Sequence, residues 1–304
     1  MSKNRYLYGV ILLVLVLLFT ILLSSFGKDF EDQNKKSIVV TFYVLEEFSK
    51  EVVGEKISVT NLTHAGIEPH DYEPSPQDII NIQNADLFIA SGGGLDLWSG
   101  EFSVSSKGEY ILMSDLIKAS AHSQAEQSWT EDPHFWMDPQ ISAKIVQIIA
   151  DKVSTIDPEN ESYYQSNAKE YIASLNDLDN DFATGLEKCL QKKIVVSHNA
   201  FSYLARSYGV EIVSIAGVSS EEEPSAKTLA GTIDFVKNEN IQYIFTGSSS
   251  ESGLASTIAK ETGADILELN NLETSPDGEK NSDTGYIGAM NSNLFNLRIA
   301  MQCQ

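Results

Sequence analysis

The stretch DPENESYYQSNAKEYIASLNDLDNDFATGL spans residues 157–186 and decides how the rest of the chain is organised. Its proline at the second position and its early glutamates are favourable at the start of a helix. Apolar side chains then recur every three or four residues on one face: Tyr164, Ala168, Tyr171, Leu175, Leu178, Phe182 and Leu186. At 1.5 Å per residue such a helix is about 45 Å long, more than one small lobe needs. We therefore predict a helix over residues 157–190 that connects two lobes.

The residues before this helix alternate short apolar runs with helical patterns. We predict strands over residues 37–43, 57–62 and 87–91, and a first helix over residues 45–53. Another helix begins at PSPQD, where Ser75 is the cap and Pro76 takes the first position. The glycines at 92–94 indicate a turn that ends a strand; they lack the Lys-Ser/Thr of a phosphate-binding loop. Alternating strands and helices predict a parallel sheet, so residues 37–156 are assigned to a first α/β lobe.

The residues after the helix repeat this arrangement. Strands are predicted over residues 193–197, 242–246 and 265–269, and the helix over residues 200–208 should stop at Gly209. Further helical patterns centre on residues 229–236 and 254–258, and a closing helix covers residues 286–301. We therefore predict a second lobe over residues 191–304. The expected fold is α/β, with two (βα)4-like lobes of parallel strands and a site in the cleft between them.

The N-terminus predicts an exported protein. Lys3 and Arg5 precede a nearly uncharged run over residues 6–26, which is long enough to cross a bilayer. Acidic residues follow it, and this order keeps the N-terminus inside the cell. We predict a membrane anchor over residues 1–27 and a linker over residues 28–36. The alternative is a cleaved signal peptide, which would leave a secreted body. No cysteine lies near this segment to carry a lipid, and sequence leaves open whether Cys189 and Cys303 pair.

Net charge and histidine positions limit the classes of function that fit this sequence. A formal charge of −22 argues against nucleic-acid binding, because phosphate would be repelled. Of five histidines, His70 and His134 lie in loops framed by prolines, and His198 follows a predicted strand. Ligands bind at that edge of an open α/β sheet, and neutral imidazole is a good zinc donor. A lone loop histidine is more often a solvated side chain, which is how we interpret His64 and His122. Spacing alone does not define a site.

Longer motifs in a fixed order supply the missing information. They are GIEPHDYEPSPQD at 66–78, ADLFIA at 85–90, LDLW at 95–98, DPHFWMDP at 132–139, SHNAFSYLA at 197–205 and AGVSSEEEPS at 216–225. With them the chain, from about residue 38 to about residue 301, resembles the zinc/manganese-type (cluster A-I) solute-binding proteins of metal ABC transporters. The resemblance implies the metal ligands His70, His134 and His198. For the fourth ligand, in the segment LNNLE at 269–273, it implies Glu273, with Asn270 or water as alternatives. Asn271 stands where the family has proline.

The same resemblance implies a function. Three imidazoles and one carboxylate suit tetrahedral Zn²⁺, whereas manganese-preferring relatives carry a carboxylate at the position of His198. Mn²⁺ or Fe²⁺ remains the alternative. We expect a monomer, not an enzyme, that captures the metal outside the cytoplasm and hands it to an ABC permease. A zinc hydrolase is the rival class, since three histidines and a water would make a catalytic site. Adhesion is a third class on which the sequence is silent.

Overall fold

Two four-stranded sheets organise the part of the chain that the structure describes. The computed structural model describes residues 35–64, 66–102, 107–119, 132–218, 224–247, 252–275 and 285–304. All strand pairs in these ranges are parallel, and the strand orders are β2-β1-β3-β4 and β6-β5-β7-β8. The predicted α/β class with two parallel sheets is therefore confirmed.

The first sheet has an apolar centre and mixed edges. Its strands are β1 (Ser37–Val40), β2 (Ser58–Asn61), β3 (Leu87–Ala90) and β4 (Glu109–Leu112). The helices are α1 (Tyr43–Val53), α2 (Pro76–Asn84) and α3 (Met113–Ala119). Central strands are covered on both faces, so β1 and β3 are nearly all apolar. Strand β4 was not predicted, because only one of its four positions is fully buried and it carries no apolar run like those of β1 and β3.

The three glycines after β3 form a turn, as predicted from the sequence. Gly92, Gly93 and Gly94 all adopt positive φ angles of 66° to 100°, a region that residues with a Cβ rarely enter. The Asp96 carboxylate closes the turn by accepting hydrogen bonds from Ser91 N (2.7 Å) and Gly92 N (2.8 Å). The turn is thus stabilised from within the chain and does not depend on a bound phosphate.

The second sheet repeats the first. Its strands are β5 (Lys193–Val196), β6 (Glu211–Ser214), β7 (Tyr243–Thr246) and β8 (Asp265–Glu268). The helices are α6 (Ser202–Tyr208), α7 (Ala226–Asn238), α8 (Ser252–Thr262) and α9 (Tyr286–Ala300). Helix α6 stops at Gly209, whose left-handed conformation ends a helix without strain. The edge strand β6 was missed for the same reason as β4.

A long helix joins the two halves. It is α5 (Glu161–Gly185), with 25 residues, and it runs beside α4 (Pro139–Ile156). One face of α5 packs against α1 beside the first sheet and against α9 beside the second. Its buried side chains include Tyr164, Ala168, Leu175, Leu178 and Phe182, which all belong to the predicted stripe. The long connecting helix is confirmed, although it begins and ends a few residues inside the predicted range of 157–190. The domain limits as a whole stay predictions.

The described residues say nothing about the predicted anchor. Residues 1–27 and nearly all of the linker at 28–36 lie outside them. Within the described ranges, no helix is both long enough and apolar enough to cross a membrane.

A disulfide closes the second half of the chain. Cys189 follows α5 and pairs with Cys303 after α9, across a separation of 114 residues. Cross-linking positions far apart in sequence restricts the unfolded chain, and the expected stabilisation grows with the length of the closed loop. An exported protein meets the oxidising conditions in which such a bond persists.

We expect removal of this disulfide to destabilise the protein. The double variant Cys189→Ser/Cys303→Ser should lose about 2–5 kcal/mol of unfolding free energy, because the unfolded state regains the entropy of an open chain. Urea unfolding followed by circular dichroism measures this. Reduction of the unsubstituted protein is the control and should reproduce the loss. An unchanged midpoint in both samples would contradict the expectation.

Candidate metal centre

His70 is held by a short turn that the local sequence builds. It lies in the 3₁₀ turn Pro69–Asp71 after β2, and its N–H donates to the Glu68 side chain at 3.5 Å. The next helix, α2, starts with a capping box, in which Ser75 and Asp78 bond to each other's backbone N–H. A capping box fixes the entry of the chain into a helix. The loop that carries His70 is therefore held by this turn and by the start of α2.

His134 is fixed by an aspartate two residues earlier. Asp132 Oδ1 accepts a hydrogen bond from His134 N at 2.9 Å and lies 2.8 Å from His134 Nδ1. Asp138, near the end of the same motif, caps α4 by accepting hydrogen bonds from Gln140 N and Ile141 N. With Nδ1 engaged by Asp132, the fully buried His134 ring presents Nε2 to the cleft.

The second half of the chain contributes His198 and Glu273. His198 follows β5 and is fully buried, and Glu273 lies in the loop after β8 and is 2% exposed. Asn293 on α9 holds this loop, since it accepts from Asn270 N and donates to Asn270 O, both at 2.7 Å. His198 and Glu273 thus lie beyond the carboxyl ends of parallel strands, where α/β sheets bind ligands.

The four side chains meet at one carboxylate oxygen. Glu273 Oε1 lies 2.6 Å from His134 Nε2, and 3.6 Å from both His70 Nε2 and His198 Nε2. Donor atoms of His70, His134 and Glu273 all lie within 4.8 Å of one another, which is close enough to share an ion. His198 falls outside that mutual limit but approaches the same oxygen.

Other residues considered from sequence lie elsewhere or outside the described ranges. Asn270 supports the loop, because its Oδ1 accepts from Leu272 N at 2.8 Å and its amide donates to Glu268. His64 is exposed, and its carbonyl accepts from Ile67 N. His122 lies outside the described residues.

Sequence reasoning missed three residues that support the cluster. Asp132 orients His134, and Trp136 Nε1 donates to Asn271 O at 2.8 Å across the cleft. The Asn271 side chain donates to Glu273 Oε2 at 2.7 Å. Asp132 could have been suspected, because an acid two residues before a ligand histidine can reach its ring. Nothing in the sequence indicated the tryptophan contact.

The ionisable side chains of the cluster shift one another's pKa values. Burial alone would raise the pKa of Glu273, but hydrogen bonding to His134, His198 and His70 holds it well below its ordinary value. Burial would lower the pKa of His134, yet its contacts with Asp132 and Glu273 raise it overall. Burial also acts upward on the pKa of Asp132, and the bonds to His134 lower it on balance. These shifts favour a charged imidazole between two carboxylates, a charge that a divalent cation can replace.

Within the described residues, His134, His198 and Glu273 are buried. A cavity of about 430 Å³ lies beside the cluster, lined by residues that include Asp132, Asp138, Asp179 and Tyr203. None of the four clustered donors lines this cavity. A small ion fits such an arrangement, whereas an organic substrate would need access to the donors.

Two α/β lobes, one long connecting helix and a donor cluster drawn from both sides of a cleft define a solute-binding protein for a metal ion. A model of the family described as "ZnuA: Zinc-uptake complex component A periplasmic" matches residues 38–300, so the chain belongs to this family. The resemblance inferred from sequence is thereby confirmed.

Known relatives agree with this assignment. The high-affinity zinc uptake system protein ZnuA of Bacillus subtilis is 38% identical over 279 residues, covering 87% of each chain. The zinc-binding lipoprotein AdcA of Streptococcus pneumoniae is 33% identical, and the match covers 94% of this chain but 60% of AdcA. The Zn(II)-bound ZnuA-like domain of S. pneumoniae AdcA is 34% identical, with a TM-score of 0.74 over 88% of this chain and 99% of that domain.

A third relative is described as having a second activity. The laminin-binding protein Lmb of Streptococcus agalactiae, described as a bifunctional adhesin and metal transporter, is 31% identical. It has a TM-score of 0.78 over 88% of this chain and 99% of Lmb. The family comparisons favour zinc over the manganese or iron alternative. Three imidazoles near one carboxylate are a donor set that fits zinc.

We expect the charge on Asp132 to matter for metal binding. Asp132→Asn keeps the size of the side chain but makes it a weaker partner for His134, so zinc affinity should fall about 10- to 100-fold. Competition with a chromophoric chelator measures this. Asp234→Asn, which removes an exposed carboxylate on α7, is the matched control and should bind as the unsubstituted protein does. Equal affinities in both variants would contradict the role of Asp132.

Proposed function

We propose that this protein captures Zn²⁺ outside the cytoplasm and delivers it to the permease of an ABC-type importer, with His70, His134, His198 and Glu273 as the ligands. One observation carries the proposal: three imidazole nitrogens, from both lobes, surround a single buried carboxylate oxygen. The zinc-related names of the relatives support the choice of cargo.

The chemistry of the donors supports zinc over harder ions. Zinc is bound well by imidazole and takes four ligands, whereas Mn²⁺ prefers more oxygen donors in an octahedral shell. Among the described residues, Glu273 is the one side chain with an oxygen donor in the cluster. Copper and nickel also bind imidazole well, so selection among them depends on geometry and on supply.

Cargo binding is proposed to join lobes that already touch. Trp136 and Asn271 form a hydrogen bond across the cleft, and Asp138 Oδ2 accepts from Ser207 on α6. With α5 also bridging the lobes, we propose that the transporter releases the metal through small shifts of loops and lobes, not through a wide hinge opening. Scattering profiles of the metal-free and zinc-bound protein should therefore be nearly the same.

The cellular setting follows from the N-terminal segment. We propose that residues 1–27 anchor the protein, as a monomer, to the outer face of the membrane, or are removed to release it. The charge order around the apolar run and the disulfide between Cys189 and Cys303 support export.

We also propose that the protein is not an enzyme. A catalytic zinc site keeps one position for water, and here the Glu273 carboxylate stands where that water would bind. Asp132, a further acid beside the cluster, is engaged by His134 and serves to orient it. Hydrolysis of an activated ester by the zinc-loaded protein would count against this part of the proposal.

The proposal is tested by metal content and competitive affinity. The purified protein should hold one tightly bound zinc per chain, and His198→Ala should weaken binding by more than about 100-fold, the upper end for the loss of an outer partner. His64→Ala removes an exposed histidine and is the matched control. Tighter binding of manganese than zinc would overturn the choice of metal. The absence of any tight metal would overturn the transport role.

A further inference from the structure

The two oxygens of the Glu273 carboxylate have different surroundings. Oε1 faces the Nε2 atoms of His134, His70 and His198. Oε2 instead accepts a hydrogen bond from the Asn271 side-chain amide at 2.7 Å. Glu273 is 2% exposed and Asn271 is 7% exposed, so water competes little for this bond. One oxygen is directed to the donor cluster, and the other is already engaged.

The orientation of the Asn271 amide is fixed by its other contacts. Its Oδ1 accepts a hydrogen bond from Glu273 N at 3.2 Å, so the NH₂ group must be the part that faces Oε2. The same NH₂ group lies 3.3 Å from His198 Nε2. An amide with its oxygen on a backbone donor and its nitrogen on a carboxylate cannot flip without losing both bonds.

The backbone around Asn271 is also held in place. Trp136 Nε1 donates to Asn271 O, and the adjacent Asn270 is bonded by Asn293 on α9. Leu272 between Asn271 and Glu273 adopts a φ of 61°, a conformation that a leucine takes only when its surroundings impose it. These contacts hold the backbone of Asn271 beside the carboxylate.

We propose that Asn271 is a specificity-determining residue that restricts Glu273 to coordination through one oxygen. The inference rests on the proposed metal site and deepens it. With Oε2 engaged, the cluster offers three nitrogens and one oxygen, the four-coordinate set that zinc prefers. Manganese takes larger, oxygen-rich shells, which a chelating carboxylate would help to provide. Asn271 therefore lowers the affinity for manganese relative to zinc without contacting the metal.

The test compares zinc and manganese affinities in three proteins. In Asn271→Ala, Oε2 is freed, and the ratio of the manganese to the zinc dissociation constant should fall by about tenfold or more. Asn270→Ala is the matched control: it loosens the same loop by removing the bond to Leu272 N, but its side chain lies off the cluster. It should keep the ratio of the unsubstituted protein. Asn271→Leu fills the space without a donor and replaces Asn271→Ala if the latter unfolds.

Cobalt(II) gives a second readout that loop stability does not move. Four-coordinate cobalt absorbs visible light intensely, and higher coordination weakens the bands. Bound cobalt should therefore lose intensity in Asn271→Ala but not in Asn270→Ala. An unchanged ratio and spectrum in Asn271→Ala, or the same change in Asn270→Ala, would overturn the inference. If the unsubstituted protein itself failed to bind zinc, the proposed function would fail instead, so the two failures are distinct.

Discussion

A buried carboxylate among three imidazoles is the constraint on which the rest of this structure depends. An ionised group removed from water costs several kcal/mol unless charge and hydrogen bonds compensate it. Here His134 Nε2 lies within hydrogen-bond distance of Glu273 Oε1, and Asp132 in turn engages Nδ1 of the same ring. This chain of three groups crosses the cleft. The loops that carry these groups must therefore keep their relative positions even before a cation binds.

The neighbouring contacts explain how the relative positions of these loops are maintained. The carbonyl oxygen of Trp136 accepts hydrogen bonds from Ser142 on α4 and from Tyr286 on α9, and its indole holds the loop of Asn271. Trp136, in the middle of the motif that carries His134, thus contacts residues on both sides of the cleft. Because these groups are ordered beforehand, less of the free energy of metal binding is spent on ordering them.

Much of the fold and part of the site follow from local sequence. The apolar runs of β1, β3 and β5 and the stripe on α5 carry the signals of buried strands and of a long amphipathic helix. The edge strands β4 and β6 carry weaker patterns, because at most one of the four positions in each is fully buried. The three histidines were selected by the motifs around them, and only the fold brings their rings near one oxygen.

Roles that depend on long-range contacts escaped the sequence. Asn271 looked like a departure from a family proline, and its bond to Glu273 depends on a loop shape set by Asn293 and Trp136. The choice between Asn270 and Glu273 was likewise open, since either can carry a metal in a linear reading of LNNLE. The structure turns Asn270 into the loop and Glu273 toward the histidines.

The bond between Cys189 and Cys303 has a consequence for resistance to proteolysis. It makes the second lobe a covalent ring that includes both His198 and Glu273, whereas α5 and the first lobe lie outside it. A single cut anywhere inside the ring leaves the chain as one molecule, with its two second-lobe ligands still linked. A cut between His70 and His134 has no such safeguard and leaves two pieces held together only by packing. After one cut in the second lobe the disulfide still links the two pieces of the chain, and after one cut in the first lobe no covalent bond links them.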